Sequence, residues 1–548
     1  MTSCLPRSLV APLLGMTPSK VFCEGASSRG AERRGTCERG GIGNSPRNPS
    51  PLPYVAGIVT HSTDFLVLGA GYAGLTAAAL LAHEGRAVTV LEGHETLGGC
   101  ASFFRTGGYT FDVGATTFSG VLPSQPAGRV FAHLGLQPEL VKQDPGMLIR
   151  MKDRDVVRHA APEKWIDEIA KHFPHGDQRG YWERQYALER KVWSMVNDQP
   201  SLPPTTARDW AEMVNVRSIK QLPMVPGLFR SASSLMRKYR VDSDSTFVDF
   251  INEQLLISTQ NTSDKAPYLT AAMGLTYPSE TYYPMGGMYR PALMLMRHAT
   301  AHGAQMKFRR MVTSIDQLPS GRWSVRCANG ETYEASTVIS SVPIWNMSSL
   351  TTGKTQRYFE SLSTRNADSW CAFSMYFALE GVPKLSSQYV QLHLDRPISG
   401  VHASSIFLTF SHPDDREKAP AGHTTVTVST HTRSEDWTGL SPTQHDEKRA
   451  TVMTAILDVI QRRMPECAGL TPIMVSGGTP HTWERYTSRF KGFVGGLPHS
   501  INRPMIFMPP NRTPFHGLYM IGDSVFPGQG TPAVMLGAWN TVNRIFAA

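Results

Sequence analysis

The stretch Thr63–Gly99 reads TDFLVLGAGYAGLTAAALLAHEGRAVTVLEGHETLGG, and its punctuation decides the fold. Phe65–Leu68 is a short apolar run, as a buried parallel strand requires. Gly69-Ala70-Gly71-Tyr72-Ala73-Gly74 follows, and the Ala- and Leu-rich run Leu75–Ala82 predicts a helix that Gly85 ends. Ala87–Leu91 predicts a second strand, closing on Glu92, 23 residues after Gly69. In such a unit Gly69 permits the tight turn, Gly71 lets the backbone approach a pyrophosphate, and Gly74 lets helix pack on strand. The helix N-terminus offers free N–H groups and a positive dipole end to phosphate. A carboxylate at the tip of the second strand accepts hydrogen bonds from a ribose hydroxyl. A glycine-rich turn that binds nothing is the competing reading. Its place between strand and helix, with an acid at the right distance, argues against that reading.

Working outward, Gly98-Gly99-Cys100-Ala101-Ser102-Phe103 and Tyr109-Thr110-Phe111-Asp112-Val113-Gly114 come next. Glycines here let the backbone pass close to a large flat ligand. A plain nicotinamide domain has no need of this second pair, whereas a dinucleotide carrying an isoalloxazine ring reaches beyond the first crossover.

The chain has 548 residues, enough for two or more packed units, and 41% hydrophobic against 18% charged residues is a globular balance. No run of 18 apolar residues predicts a spanning helix. The seven cysteines (Cys4, Cys23, Cys37, Cys100, Cys327, Cys371, Cys467) have no CxxC or other metal spacing and read as reduced thiols of an intracellular compartment; no metal is expected. The net charge of +9 suits a surface that meets anionic lipid, and nothing resembles an aromatic-basic nucleic-acid module. Residues 1–62, rich in Ser, Arg, Gly and Pro, carry seven basic residues against three acids and read as a disordered transit peptide, with a disordered tail that carries no address as the alternative. The first folded residue is expected near Thr63.

Val130–Leu136, Lys164–His172, Tyr181–Val196 and Phe247–Leu256 predict helices. Leu222–Arg240 mixes apolar residues with Arg230, Arg237, Lys238 and Arg240; it fits a monotopic membrane contact or a helix packed on its own domain with a basic edge. Tyr283–Met288 predicts a loop opening the helix Tyr289–His302, and Gln305–Phe308 a strand. Val312–Ile315, Trp323–Cys327, the turn Asn329-Gly330 and Thr332–Ala335 make a small hairpin unit, with Thr337–Val342 a further buried strand. Ala372–Leu379 alternates, with Phe373, Met375 and Phe377 on one face; Ser405–Phe410 and Thr424–Thr432 are also strands, so a mainly antiparallel sheet is expected. Lys448–Arg463 predicts a helix before Pro465. Near the end, a strand runs into Gly522-Asp523, a glycine-rich loop and a helix starting at Thr531–Ala533. Asp523 can hold sugar or ribityl hydroxyls, and the helix start can set its positive end against a reduced flavin. An Asp capping its own turn is the alternative.

GAGYAGL, LEGHETLGGCASFF, GYTFDVGATT, YPMGGM, TPHTWERYTSRFKGFVGGLP and GLYMIGDSVFPGQGTPAV together resemble the phytoene-dehydrogenase-related flavoproteins. That family holds carotenoid desaturases and carotenoid cis-trans isomerases and is a branch of the amine-oxidase-like FAD enzymes. The resemblance implies FAD held at Gly69, Gly71, Gly74, Glu92, Gly98 and Gly99, adenine contacts from the backbone at Val312, and ribityl and diphosphate contacts at Gly522 and Asp523. It also implies a hydrophobic polyene substrate, peripheral membrane contact and a plastid (chloroplast) location. Cys100 stands where many relatives have Arg.

The fold class expected is α/β, a Rossmann-like FAD-binding domain interrupted by a substrate domain with a mainly antiparallel sheet and a helical insertion. The FAD-binding domain takes residues 63–135, 285–350 and 499–548. The helical, membrane-facing insertion takes 136–284 and the substrate sheet 351–498. The leading expectation is desaturation of a long polyene, with hydride passing from an allylic carbon to the flavin and electrons then to quinone or oxygen; the segment Glu484–Pro498 favours it. Carotenoid cis-trans isomerisation with reduced FAD, a flavin amine oxidase, and a non-enzymatic lipid-binding escort are the alternatives. No acid–base constellation identifies a catalytic residue.

Overall fold

A computed structural model describes residues 59–199, 201–213 and 222–547. The transit-peptide reading lies almost wholly outside them, but Thr60–Ser62 do not belong to a leader. They open the strand Thr60–Leu68, paired in parallel with Thr332–Ser340 from Thr60↔Thr332 onward. Among the described residues the first strand therefore opens at Thr60 rather than near Thr63, and Thr60–Ala548 forms one compact unit.

Two sheets carry the architecture. The first runs Val312–Gln317, Trp323–Cys327, Thr332–Ser340, Thr60–Leu68, Val88–Leu91, Gln305–Lys307. Leu518–Met520 lies in parallel beside the far half of Thr332–Ser340, where Trp323–Cys327 has ended. Thr60–Leu68 and its neighbours are parallel, whereas the hairpin at the near edge is antiparallel. Thr332–Ala335 and Thr337–Val342, read separately from the sequence, are one strand, Thr332–Ser340: Ser336 interrupts the apolar pattern but not the hydrogen-bonded ladder. The helices Tyr72–His83, Tyr289–Ala301 and Thr531–Phe546 contribute to one apolar cluster against this sheet.

The second sheet runs Pro472–Gly478, Trp370–Glu380, His423–Thr432, Ser405–Phe410, Tyr389–His393, Met147–Arg150, Asp155–Arg158, with Phe493–Val494 added beside Trp370 and Cys371. All its pairings are antiparallel except Tyr389–His393 with Met147–Arg150. The alternation of Phe373, Met375 and Phe377 is real, and that face packs on the helix Pro442–Arg463 through Val452, Ile456 and Ile460. The opposite face is covered too: Tyr376 and Ala378 pack against Tyr109 and Phe111.

Four local readings change. The region after residue 136 is not all helix; Leu140–Lys142, Met147–Arg150 and Asp155–Arg158 are short strands, and the last two extend the second sheet. These runs are too short to show a period. The helix read as Val130–Leu136 is Pro126–His133, started by Pro126 and stopped before Gly135, whose φ is +65°. Leu222–Arg240 splits at Phe229–Ser231 into a 3-10 turn, Leu222–Leu228, which holds Pro226, and the helix Ala232–Lys238. The helix before Pro465 starts six residues early, at Pro442, because Ser441 and Gln444 form a capping box.

Candidate functional site

The carboxyl ends of three parallel strands meet at one edge of the first sheet. The Leu68 carbonyl accepts from the Ser341 backbone N–H (2.9 Å) and hydroxyl (2.7 Å). The Ile521 N–H donates to the Ser340 carbonyl (2.8 Å), and Gly69 N–H donates to Leu91 (2.8 Å). The turn Gly69–Gly74, the residue after Ser340 and the pair Gly522-Asp523 therefore share that edge, where open α/β sheets bind ligands.

Two glycines of the turn, Gly69 and Gly74, are dictated by contact. A Cβ on Gly74 would lie 1.9 Å from the Gly69 carbonyl oxygen, so only glycine lets the helix Tyr72–His83 sit this close to the strand. Gly71 forms a parallel bridge with Gly98, and Gly98 N–H donates to the Ala70 carbonyl at 2.8 Å. A Cβ on Gly71 would reach within 3.9 Å of Gly98 and Gly99. Gly69, Gly71, Gly74, Gly98 and Gly99, separated in sequence, thus build one cradle. The helix begins at Gly71 with no side chain capping it, which leaves its first N–H groups to an anion.

Glu92 sits over this cradle, its carboxylate accepting from the backbone N–H of Ala70 (2.7 Å) and of His94 (2.8 Å). A carboxylate has about four lone-pair sites, so capacity remains for sugar hydroxyls. The stretch before Val312 is tied to the same place, with Arg310 N–H donating to the Glu92 carbonyl (2.8 Å) and Arg309 N–H to that of His94 (3.0 Å).

At the other side of the edge Asp523 is not capping its own turn. Both its oxygens accept from one guanidinium nitrogen of Arg489, at 2.9 and 2.8 Å. Arg489 also donates to the Phe493 carbonyl, and its side chain is 10% exposed. Cys100 lies in the field of this pair; burial pushes its thiol up, against the opposing pull of Arg489. A cation beside position 100 thus comes from a segment nearly 400 residues later in the chain. Sequence reading missed it, although Arg489 lies inside the quoted RYTSRFKGF run.

The second helix-opening loop is pinned by buried acids. Tyr72, the first residue of the turn's helix, donates its hydroxyl to the Met288 carbonyl (2.5 Å). The Met288 N–H donates to Asp112 (2.9 Å), whose other oxygen accepts from Lys418. Burial pushes the Asp112 carboxyl above its ordinary range, and the Lys418 ammonium pulls the other way. Asp415 accepts from the Tyr283 hydroxyl (2.8 Å) and Gly286 N–H (2.9 Å). Asp112 was visible as part of GYTFDVG; Lys418 and Asp415 sit in a loop with no motif to mark them. The helix Thr531–Phe546 starts at Gly530, again with no side-chain cap.

A family model described as flavin containing amine oxidoreductase matches residues 72–545. Prolycopene isomerase 1, chloroplastic, of an Oncidium hybrid cultivar is 26% identical over 531 residues, covering 88% of this chain and 84% of that protein. Phytoene desaturase of Neurospora crassa is 25% identical over 534 residues, covering 88% and 84%. Among solved structures, a putrescine oxidase mutant superimposes with a TM-score of 0.56 at 14% identity, covering 89% of this chain and 99% of that one. That likeness is of fold: the same interrupted α/β architecture. The donor set at the sheet edge fits a dinucleotide with a flavin ring, and the branch to which the sequence motifs pointed is the one its relatives occupy. The chain belongs to the flavin containing amine oxidoreductase family, an FAD-dependent oxidoreductase.

Proposed function

We propose that this enzyme acts on a carotenoid, converting cis double bonds of a long polyene to trans at constant hydrogen count. Bound FAD supplies a ring that can hold or release two electrons next to the substrate. Gly71, Gly98 and Gly99 hold its diphosphate with the N-terminus of the helix Tyr72–His83. Glu92 takes the ribose, the backbone at Val312 takes the adenine, and Gly522 and Asp523, fixed by Arg489, take the ribityl chain.

One observation carries the choice of an apolar substrate. A single buried cluster runs from Met224 and Leu228 through the helices of the insertion to Phe526 and Leu536, beside the Gly522-Asp523 loop. At its outer end Val225 and Phe229 are exposed, flanked by the exposed cations Arg230, Arg237 and Lys238. That combination suits an anionic membrane surface from which a polyene enters. Among the described residues no helix is long and apolar enough to cross a membrane, so the contact proposed is peripheral. The chloroplastic relatives support a plastid site for it.

The choice of reaction rests on the relatives. The segment Glu484–Pro498, which favoured desaturation in the sequence, has a packing explanation. Arg489 holds Asp523, and a Cβ on Gly496 would lie 1.9 Å from the Asp523 carbonyl oxygen. Either reaction needs that anchor, so the segment does not separate them. Desaturation with a quinone or oxygen acceptor is the second reading, favoured by the match to the Neurospora enzyme over an equal share of the chain. An amine substrate has support from the family's description and from solved structures at about 14% identity, which speak for the fold, whereas the curated relatives cited above act on carotenoids by name.

The test is anaerobic incubation of the purified, pre-reduced flavoprotein with a poly-cis carotene in liposomes. Trans product of unchanged mass, formed without any acceptor, is expected. Product lighter by two hydrogens, formed only when a quinone is added, would replace isomerisation by desaturation. No change under either condition would remove the carotenoid reading.

A further inference from the structure

His83 meets two histidines from far along the chain, His298 and His302, on the face of the first sheet's helical layer, away from the strand ends that hold the cofactor cradle. His83 is the last residue of the helix Tyr72–His83, His298 lies in the last turn of the helix Tyr289–Ala301, and His302 follows that helix as its cap. Their ring nitrogens lie within 4.8 Å of one another. His83 Nδ1 and His298 Nε2 are 3.2 Å apart. Two nitrogens on a tetrahedral zinc at about 2.05 Å stand about 3.3 Å apart, so this pair already has the spacing of a coordination edge.

Three further features favour a cation here. His302 Nδ1 lies 2.9 Å from the backbone carbonyl of His298. A carbonyl only accepts, so Nδ1 carries the proton and Nε2 keeps its lone pair, the arrangement that orients a metal-bound imidazole. Both helices end at the cluster, so two negative dipole ends point at it. The pair at His298 and His302 is four residues apart on one helix, which stacks the two rings at a centroid distance of 4.1 Å. Glu84 and His133, 3.6 Å apart, adjoin the cluster on the side of His83.

We propose that His83, His298 and His302 bind one borderline divalent transition-metal ion, zinc or a close relative, at the surface of the cofactor-binding layer, with water completing the shell. The ion clamps together the C-terminal ends of two helices whose N-terminal ends carry Gly71 and the Tyr283–Met288 loop. Its role is therefore to stiffen the cofactor layer and not to take part in the reaction. The site needs no cysteine, so cysteine spacing could not reveal it.

The test uses the full chain, flavin bound, purified through a tag without histidines, stripped with chelator and titrated with zinc chloride against a chromophoric chelator. One zinc per chain and a higher melting temperature with zinc are expected. His302→Gln, at an exposed position, should lower zinc affinity by at least the roughly 10–100-fold that loss of even an outer-shell partner costs and abolish the thermal shift at unchanged flavin content. His133→Gln should leave both as they are. Zinc affinity and shift that survive His302→Gln, or no stoichiometric zinc in the unsubstituted protein, would overturn the site. Loss in His133→Gln with retention in His302→Gln would move the ion to Glu84 and His133 and overturn it equally.

Discussion

The cofactor edge of the first sheet and the helical insertion are both buried, yet they are held by different kinds of contact. At the edge the decisive contacts are made to backbone atoms of short motifs: Gly74 against the Gly69 carbonyl, Gly98 against Ala70, the Glu92 carboxylate against two backbone N–H groups. In the insertion they are between rings. Trp165 meets Trp182 edge-on at 5.1 Å, Phe173 meets Phe247 at 5.2 Å, and the Arg158 guanidinium lies 4.0 Å from the Trp165 ring centre. Arg158 is 1% exposed, and its hydrogen bonds go to Tyr186, Ser279 and the carbonyls of Leu275 and His159. One region tolerates almost no added atom, whereas the other depends on volume supplied from distant positions.

Gly74→Val tests that contrast most severely. Its Cβ alone meets backbone oxygen at 1.9 Å, with nothing flexible to yield. The expected result is loss of flavin-loaded folded protein, read as flavin absorbance per chain. Normal flavin content would mean that helix and strand can separate without cost. Trp165→Ala comes next. It should cost about 3–5 kcal/mol of stability, measured by urea unfolding, while the flavin affinity of the folded protein stays unchanged. A matching loss of flavin affinity would show that the two regions are not energetically separate.

The same contrast explains what the sequence disclosed. Gly69, Gly71, Gly74 and Glu92 were legible because they fall at fixed spacings within one strand–turn–helix–strand unit, and Gly74 meets its neighbour Gly69 five residues away. Gly522-Asp523 was legible as a motif, but its partner Arg489 was not, since the pair forms only when two distant segments fold together. Lys418 under Asp112 was hidden for the same reason. In the insertion, helices with a clear apolar face were recognised, whereas three- and four-residue strands at Leu140–Arg158 carry too few residues to show a period. The start at Thr60 was missed because Thr60-His61-Ser62 is polar and strand-forming only through its ladder to Thr332–Glu334.

Glu92→Gln sharpens the cofactor side. It keeps size and one acceptor but removes the charge that two backbone N–H groups and a ribose would share. A loss of about 1–3 kcal/mol in flavin affinity is expected, read by flavin release on dilution. Unchanged affinity would place the ribose elsewhere.

The smallest effect concerns acid. Burial lowers the imidazoles of His393 and His431, both in the second sheet, and of His499 to about 4 each, with Arg463, Arg433 and Arg503 respectively adding to the shift. An unfolded histidine titrates near 6.5. Between those values the unfolded chain binds protons that the folded chain refuses, so stability is unaffected above pH 6.5, falls as pH drops, and levels off below about 4. Each group contributes a slope of up to about 1.4 kcal/mol per pH unit within that window. His393 is the sharpest probe, because it is 6% exposed. Its Nε2 also has no hydrogen-bond partner among the described residues to confuse the reading. His393→Gln should reduce the fall in stability between pH 6.5 and pH 5, measured by urea unfolding, while leaving the flavin affinity of the folded protein as it was. An unchanged slope would mean that the His393 side chain takes its proton as readily in the folded sheet as in water, and that acid acts through the cofactor edge instead.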